Sequence, residues 1–395
     1  MHLHHIRVYL KKVERRFRKS VIFTKNALST FMKRSTVNIP VLLSLLLAIL
    51  VAGCAEQAEQ VARTMKSVPN AFGKMNELTI ITDQDMWDGN IGDTIDYYYA
   101  SAYPILPQPE PILDLKHFTP GELAADRLRK ELRMYMVVAN LADADSPTTK
   151  LLRKHLPAEK INQALQTDKV TNIAVKDKWA RGQLIIYQFG RNQQDLVDRL
   201  RRNFPAVLKR IRQHDNRKIE ATVYLDSRDQ KLEQSVRDHL DIDMRIPGEY
   251  YAAINEPNLM WLRKETPNLS SNLLLYKEPY TSREQLTREH LKALRDSLGR
   301  EHIESQVEGS YMRINDVDLP MFVDATQIDN KYALQARGIW EIENDYMGGS
   351  FVSYLIHDPK DNELIFIDGF VHAPGEDKRN FMMYLEHIIG TVRVL

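Results

Sequence analysis

The one cysteine of this 395-residue chain, Cys54, has a sequence context that predicts a definite chemistry. Small residues precede it, and before them runs an apolar stretch, residues 39–52. That stretch is about one third shorter than the roughly 20 residues of a membrane-spanning helix, as is typical of a secretory signal peptide. We therefore predict a bacterial lipoprotein that is cleaved between Gly53 and Cys54 and acylated on the Cys54 thiol.

The electrostatics of the chain change when the predicted signal peptide, residues 1–53, is removed. Met32 and the two basic residues after it would open a signal of normal length, so we place the true start at Met32. Residues 1–53 hold 10 of the 54 Lys and Arg and one of the 53 Asp and Glu, which leaves 44 basic and 52 acidic residues and a net charge near −8. Such a charge repels nucleic acid and anionic lipid headgroups, so we expect no nucleic-acid partner.

The sequence lacks the signatures of familiar cofactor, metal and nucleophile sites. Acylation of Cys54 leaves no free thiol, which excludes disulfides and thiolate chemistry. The nine histidines after residue 53 never fall at the i, i+2 or i, i+4 spacing of a metal-binding pair. No P-loop, G-x-S-x-G or G-x-G-x-x-G segment occurs. We predict no cofactor, no metal and no catalytic residue from these patterns.

Aromatic, charged and methionine side chains, which often contact ligands, are concentrated around a glycine pair late in the chain. We predict these residues as a possible binding surface. An aromatic ring, one cation and one anion on the strand leading into this loop would hold the end of a peptide or glycan. The alternative is a hairpin in which the glycines supply turn geometry and Trp340 lies in the core. We expect a mixture, with Trp340 in the core and Tyr346 and Met347 exposed at the rim of a groove. The residues are Arg337, Trp340, Glu341, Tyr346, Met347, Gly348 and Gly349.

Two further segments have two interpretations each. Residues 83–90 carry oxygen-bearing side chains at alternate positions, as in a calcium loop, but they lack the Glu at the twelfth position. We expect instead a strand-to-helix turn in which an Asp of this segment caps the helix, with Trp87 packed beneath it. The alternating prolines of residues 106–111 favour an extended segment that either docks a partner or rigidly spans one edge of the fold. These last two alternatives stay open.

The order of strands and helices predicts an α+β fold with two α/β sandwich-type domains after a flexible tether. Residues 54–75 are polar and aperiodic and form the lipidated tether. Residues 76–224 alternate strand-like and helix-like segments, including a buried strand at residues 134–141 and a long helix that Pro205 should kink or divide. Residues 225–395 form a domain with a mainly antiparallel sheet and helices packed on it. The basic residues of the long helix are interpreted as a solvated face.

Several short segments carry a family resemblance: residues 87–89, 92–93, 106–111, 179–183, 308–311, 337–341 and 347–354. Through them the chain, from Trp87 onward, resembles an uncharacterised lipoprotein family of the Bacteroidetes, domain of unknown function 4837. The resemblance implies lipidation and the cell envelope, and it implies no activity. The order of elements in the C-terminal half also resembles the Mog1/PsbP-like α/β/α sandwich, which implies a binding or assembly module, although a fold alone does not define function.

These observations favour a non-catalytic envelope lipoprotein that binds or helps to assemble another envelope component, an unidentified protein or glycan. Its membrane contact would be the lipid on Cys54. The alternative is a periplasmic hydrolase of peptide or glycan that activates water with carboxylates such as Asp88, Asp93 or Glu341. Because Ala55 rather than Asp follows the cysteine, and few acidic residues come after it, we expect the periplasmic face of the outer membrane rather than the cell surface.

Overall fold

The computed structural model describes residues 68–167, 169–171 and 173–395. Within them, Pro69–Leu395 form one compact unit. The predicted signal peptide, the predicted acylation site at Gly53 and Cys54, and the part of the predicted tether before Val68 lie outside the described residues. None of the helices in the described ranges is long and apolar enough to cross a membrane.

The first sheet is a mixed sheet of five strands. Its strands are β1 (Glu77–Ile81), β2 (Asp114–Phe118), β3 (Met134–Asn140), β4 (Ile173–Lys176) and β5 (Leu184–Gly190). They lie in the order β2-β1-β3-β5-β4, and all neighbours are parallel except β4, which runs antiparallel to β5. β3 is buried along nearly its whole length, because helices cover both faces of the sheet. This double cover explains the continuous apolar run in its sequence.

Helices pack on both faces of this sheet. They are α1 (Gln84–Trp87), α2 (Asn90–Tyr99), α3 (Pro120–Ala125), α4 (Pro147–His155), α5 (Ala158–Leu165) and α6 (Gln193–Val223), with a 3₁₀ turn at Leu128–Lys130. α2 and α6 cover one face, and α4 and α5 cover the other. α6 is a single helix that includes the exposed Pro205, so the prediction that Pro205 divides it is wrong. A capping box between Thr119 and Glu122 begins α3.

The second sheet is antiparallel and has eight strands. They are β7 (Tyr251–Glu256), β8 (Leu259–Thr266), β9 (Leu269–Pro279), β10 (Tyr311–Ile314), β11 (Phe322–Ile328), β12 (Lys331–Glu343), β13 (Gly348–Asp358) and β14 (Glu363–His372), while β6 (Ile242–Asp243) and β15 (Arg393–Val394) form a separate pair. The order is β10-β12-β13-β14-β9-β8-β7, and β11 also pairs with β12. The predicted α+β class, with a mainly antiparallel sheet in the C-terminal half, is confirmed.

Three helices and one 3₁₀ turn accompany this second sheet. They are α7 (Gln230–Leu240), α8 (Arg288–His302), α9 (Arg379–Ile389) and the turn Arg283–Gln285. α7 and α9 pack on one face, and α8 packs on the other. Gly299 lies inside α8, where a Cβ would stand 2.5 Å from the carbonyl oxygen of Met312. The absence of a side chain at Gly299 therefore allows β10 to pack closely against α8, and the helix does not end at this glycine.

The proline-rich segment, residues 106–111, joins the two sheets. The buried carboxylate of Glu110 accepts hydrogen bonds from the backbone N–H groups of Lys378 (2.6 Å) and Arg379 (3.0 Å), at the start of α9. A carboxylate is favourable there because the N-terminus of a helix carries partial positive charge. Arg379 in turn binds Asp114 at the start of β2 (2.8 Å). Of the two interpretations of this segment, these contacts favour the one in which it spans the fold.

Candidate functional site

The predicted surface around Gly348 and Gly349 does not form one site. The indole of Trp340 is 4% exposed, as expected for a core residue, and its Nε1–H donates to the carbonyl of Val371 (3.2 Å). Arg337 lies three positions earlier on β12, so its side chain projects from the opposite face of the sheet. There its guanidinium binds Glu386 of α9 (2.6 Å).

The other members of the predicted surface are also separated. Glu341 binds Arg313 (2.6 Å) and accepts a hydrogen bond from the side-chain amide of Asn315 (2.7 Å). Tyr346 is fully exposed, whereas Met347 is half-buried against the core beneath α8. Of the two residues expected to be exposed at the rim of a groove, Tyr346 is exposed and Met347 is not.

The glycine pair permits close packing of strands. A Cβ on Gly349 would collide with the carbonyl oxygen of Val371, and one on Gly348 would lie 2.7 Å from the carbonyl oxygen of Trp340. Among the described residues, the positive φ in this turn belongs to Asn344 (69°) and not to either glycine. The turn-geometry explanation of the two glycines is therefore wrong, and the reason for them is the neighbouring backbone.

A buried polar cluster surrounds Arg337, but its groups are occupied by one another. The hydroxyl of Tyr103 donates to the same Glu386 oxygen that binds Arg337 (2.6 Å each). Burial and the nearby Glu386 carboxylate raise the pKa of Tyr103, and burial raises the pKa of Tyr354 beside it to about 12. Perturbed groups of this kind mark either active sites or structural ion pairs. Here the Glu386 oxygen is shared between a guanidinium and a phenol, which is the arrangement of a structural network.

An open polar cleft lies at the carboxyl ends of the parallel strands. β1 and β3 are neighbours, but the chain leaves β1 for α2 on one face and leaves β3 for α4 on the other. The loops therefore separate between these two strands, which is where open α/β sheets bind their ligands. The resulting space, here called the switch-point cleft, has a volume of about 540 Å³, and its wall includes Asp83, Asp85, Asn140, Asp143, Ser146 and Gln193.

Asp83 holds the two sides of the cleft together. It follows β1 closely, and its carboxylate accepts hydrogen bonds from the Thr148 hydroxyl (2.8 Å), the Thr148 backbone N–H (3.2 Å) and the Ser146 hydroxyl. Ser146 and Thr148 lie at the first turn of α4, so the carboxylate stabilises that helix terminus. Asp83 occupies the N-cap position of α1, but its side chain makes no capping hydrogen bond to that helix, so the predicted cap by an Asp side chain is absent there. Trp87 instead stacks on His117 (4.7 Å between ring centroids).

The remaining polar groups of the cleft face the open space. Asp143 uses one carboxylate oxygen to accept from the backbone N–H groups of Asp145 (2.9 Å) and Ser146 (3.1 Å). Asp85 and Gln193 are exposed. The described wall residues include three aspartates and no lysine or arginine. The cleft therefore suits a neutral hydroxyl-rich group or a positively charged group, and it disfavours an anion.

The carboxylates named for hydrolysis do not meet in one cleft. The switch-point cleft is not lined by Asp88 or Asp93, and Asp88 accepts hydrogen bonds from Gln84 (2.9 Å). Glu341 belongs to the second sheet, where it is paired with Arg313. Within the described ranges, no group of three or more His, Cys, Asp or Glu side chains is arranged to hold a metal ion.

The polar wall of this cleft is not among the sites predicted from the sequence, although the sequence carries a signal for it. Thr82 and Asp83 directly follow one buried strand, and Asn140 ends another. Polar residues at the carboxyl ends of neighbouring parallel strands converge at one edge of the sheet. The order of the strands, which periodicity does not reveal, was needed to use that signal.

Fold and cleft together describe an α+β protein with an open polar cleft at the carboxyl edge of a mainly parallel sheet. Residues 229–391 match the model of the family described as Domain of unknown function (DUF4837). Residues 71–224 match a second model, Domain of unknown function (DUF8532). The resemblance to domain of unknown function 4837 is confirmed over residues 229–391, whereas residues 71–224 fall under a different family model than the resemblance from Trp87 onward implied.

Other comparisons add little. No curated protein matches the chain. One solved structure, from Bacteroides thetaiotaomicron VPI-5482, shows 11% sequence identity over 39% of this chain and 45% of that chain, with a TM-score of 0.23. The chain thus spans less than half the length of that solved chain. A similarity this low supports no conclusion about fold or function.

Proposed function

We propose that this protein is a cell-envelope lipoprotein, acylated on Cys54, whose body binds a polar group of another envelope component without transforming it. The switch-point cleft is the observation that carries the binding part of the proposal. It is open and polar, and it lies at the position where open α/β sheets bind ligands. The signal peptide and cysteine predicted from the sequence support the envelope part.

The charge of the cleft defines the ligand class. Asp83, Asp85 and Asp143 line it without a compensating cation among the described wall residues. Amide side chains such as Asn140 and Gln193 supply both donors and acceptors for hydroxyl groups. We infer a glycan or an amine-bearing group as the ligand, which agrees with a protein that binds cell-wall or membrane-surface material.

Three sugars of one ring size separate the charge classes in a thermal-shift measurement. N-acetylglucosamine is neutral, glucosamine is positively charged and glucuronate is negatively charged. A ligand that binds only the folded state raises the melting temperature, and the rise increases with the ratio of ligand concentration to Kd. We expect stabilisation by glucosamine and N-acetylglucosamine and none by glucuronate. Stabilisation by glucuronate alone, or by none of the three, contradicts the proposal.

The lipid anchor has a separate test in the living cell. Metabolic labelling with an alkyne fatty acid should mark the parent protein and fail to mark Cys54→Ala, because Cys54 is the only cysteine of the chain. Label retained on Cys54→Ala would overturn the acylation site.

We further propose the periplasmic leaflet of the outer membrane as the location. The acidic patch after the cysteine is thin, consisting of Glu56 and Glu59. Protease added to intact cells should then leave the body uncut, and permeabilised cells should lose it. Complete digestion in intact cells would place the protein on the cell surface.

A further inference from the structure

The second sheet has an open edge at β11. This strand is joined to β12 by a two-residue turn, Asp329 and Asn330, whose φ angles are both positive (50° and 61°). The residues that flank such a turn are hydrogen-bonded to each other, so the backbone N–H of Ile328 points toward β12, and the direction alternates along the strand. The residues whose N–H and C=O groups point outward are Val323, Ala325 and Gln327. Within the described ranges, none of these backbone groups has a hydrogen-bond partner.

The other edges of this sheet are closed or irregular. β10 lies along the same side of β12 as β11, but its outward N–H groups are occupied. The N–H of Met312 donates to the carbonyl of Ile303 (2.9 Å). The N–H of Ile314 donates to the carboxylate of Asp296 (2.7 Å). β7, at the opposite side of the sheet, contains a bulge, which interrupts pairing with a further strand. β11 is by contrast paired with β12 along its whole length without a shift in register.

The side chains of β11 do little to prevent a further strand from pairing with it. Natural edge strands are usually protected by lysine, proline or inward-pointing charges. β11 has a single charged residue, Asp324, and neither lysine nor proline. Phe322 at its start is 51% exposed, and Ala325 at its centre is exposed as well. The strand therefore offers both unpaired backbone groups and apolar surface to another strand.

Two copies of β11 complement each other in an antiparallel register centred on Ala325. In this register Ala325 lies opposite Ala325 of the second copy, and Val323 lies opposite Gln327 of the second copy. All the outward-facing residues of each strand are then paired, which forms about six backbone hydrogen bonds. The small alanine side chain at the two-fold axis leaves room for its copy.

The remaining side chains of β11 also agree with this register. Phe322 lies opposite Ile328 of the second copy, which pairs two apolar side chains. Asp324 lies opposite Thr326, whose hydroxyl is a donor for the carboxylate. A register centred on Asp324 would put two carboxylates opposite each other, and one centred on Thr326 would put Asp324 opposite Ile328. Either shift also leaves one outward-facing residue of each strand without a partner in β11.

We propose that this chain forms a two-fold symmetric dimer, in which two copies of β11 pair and join the second sheets of both chains into one continuous sheet. Such a contact uses the same surface on both copies, so it closes with two chains and does not propagate. The proposal rests on the second sheet and is independent of the lipid anchor and of the switch-point cleft.

Sedimentation velocity of residues 55–395, which contain the whole compact unit, tests for the dimer. The parent should shift from the mass of one chain to the mass of two as its concentration rises. Ala325→Lys places two ammonium groups at the two-fold axis and should weaken the dimer about fivefold or more. Its matched control is Ala253→Lys, which makes the same change at an exposed alanine of β7, on the other edge of the sheet. This control should dimerise like the parent.

A cysteine placed on β11 tests the register. Residues 55–395 contain no cysteine, because Cys54 is the only one in the chain. Opposite residues of an antiparallel pair have their Cα atoms about 5.5 Å apart, which a disulfide can span. With diamide as the oxidant, Ala325→Cys should therefore form a covalent dimer readily. Asp324→Cys should do so slowly, because its two copies lie about 7–8 Å apart on the diagonal, and Ala253→Cys should not form the dimer.

Thermal melts of each variant show whether it is folded, and the cysteine variants decide the question if a lysine variant does not fold. A parent that stays monomeric at every concentration overturns the proposal, and so does equal weakening of the dimer by the two lysine variants. Cross-linking of Asp324→Cys or Ala253→Cys as fast as that of Ala325→Cys overturns the pairing of β11 with its copy.

Discussion

The two sheets of this protein handle polar groups in opposite ways. In the parallel sheet, Asp83 and Asp143 stand at an open edge and line a cleft. At the antiparallel sheet, Arg295 of α8 and Asp368 of β14 are both fully buried, 3.1 Å apart. The ends of parallel strands are connected to helices and leave space between them, whereas antiparallel strands are joined by tight turns. The first sheet is thus built to present polar groups, and the second uses them to fix its packing.

The buried pair in the second sheet is surrounded by aromatic rings and one hydroxyl. The guanidinium of Arg295 lies 3.8 Å from the ring centre of Phe351, and Ser353 donates to Asp368 (2.6 Å). Burial raises the pKa of Asp368, and Arg295 acts in the opposite direction. A buried ion pair of this kind adds little to the folding stability compared with an apolar pair of similar volume. Removing one partner, however, leaves an uncompensated charge inside the core.

The largest effect should therefore come from breaking this pair. Arg295→Met should lower the free energy of unfolding by about 3–5 kcal/mol, because Asp368 then stays buried without its partner. Adding Asp368→Leu should restore a large part of the loss, since both charges are then absent. Urea unfolding of the two variants and the parent measures both values. A double variant less stable than Arg295→Met would show that the two side chains do not act as a pair.

Gly349 tests how closely the strands of the second sheet are packed. Gly349→Ala should cost about 1–3 kcal/mol, because the new methyl group displaces the backbone at Val371. Gly121→Ala is the matched control at the edge of the cleft. Its nearest described atom is the Thr119 hydroxyl oxygen, 3.9 Å from the added Cβ, so its stability should change by no more than about 0.5 kcal/mol. Equal melting temperatures for the two variants would contradict the close approach of β13 and β14.

A half-buried titratable group, His155, lies against the first sheet at the end of α4 that is distant from the cleft. Burial lowers the pKa of His155 from 6.5 to about 4, and one ring nitrogen is 3.0 Å from the hydroxyl of Tyr187. The unfolded chain therefore binds this proton more readily than the folded one. The stability contributed by the neutral ring is complete above pH 6.5 and falls as the pH drops toward 4.

Urea midpoints measured across that pH range test this dependence. We expect the parent to lose stability more steeply with falling pH than His155→Gln, because the glutamine side chain is polar but does not titrate. Identical slopes for the two proteins would show that His155 is not buried as described.

Local features of this fold were predictable from the sequence, and distant contacts were not. The cap at Thr119 and the buried strand at residues 134–141 depend on residues within a few positions of each other, so spacing reveals them. The partners of Asp83 lie 63 and 65 positions away, and the carbonyl that requires Gly349 belongs to Val371 on the next strand. Neither relation leaves a periodic pattern. Pro205 shows the opposite error, because a local rule predicted that the proline would kink or divide the helix, and the packed helix is not divided.

The smallest effects on stability should occur in the cleft, where function and folding separate. Asp143→Asn keeps the oxygen that accepts from Asp145 and Ser146, and Gln193 is exposed, so Asp143→Asn and Gln193→Ala should each change stability by less than about 0.5 kcal/mol. Both should nevertheless reduce the thermal shift produced by glucosamine. Asp83→Ala is the contrasting variant, because it also removes the cap of α4 and should lose about 1–2 kcal/mol.

The comparison between the sheets depends on this contrast. If the cleft is a binding site, Asp143→Asn has the same melting temperature as the parent in buffer, and glucosamine raises that temperature less than it does for the parent. Arg295→Met has a lower melting temperature in buffer, but its folded fraction still binds glucosamine. If instead Asp143→Asn loses stability as Asp83→Ala does, the aspartates of the cleft serve packing, as Asp368 does in the second sheet. The difference drawn between the two sheets would then disappear, because both would use their carboxylates for the same purpose.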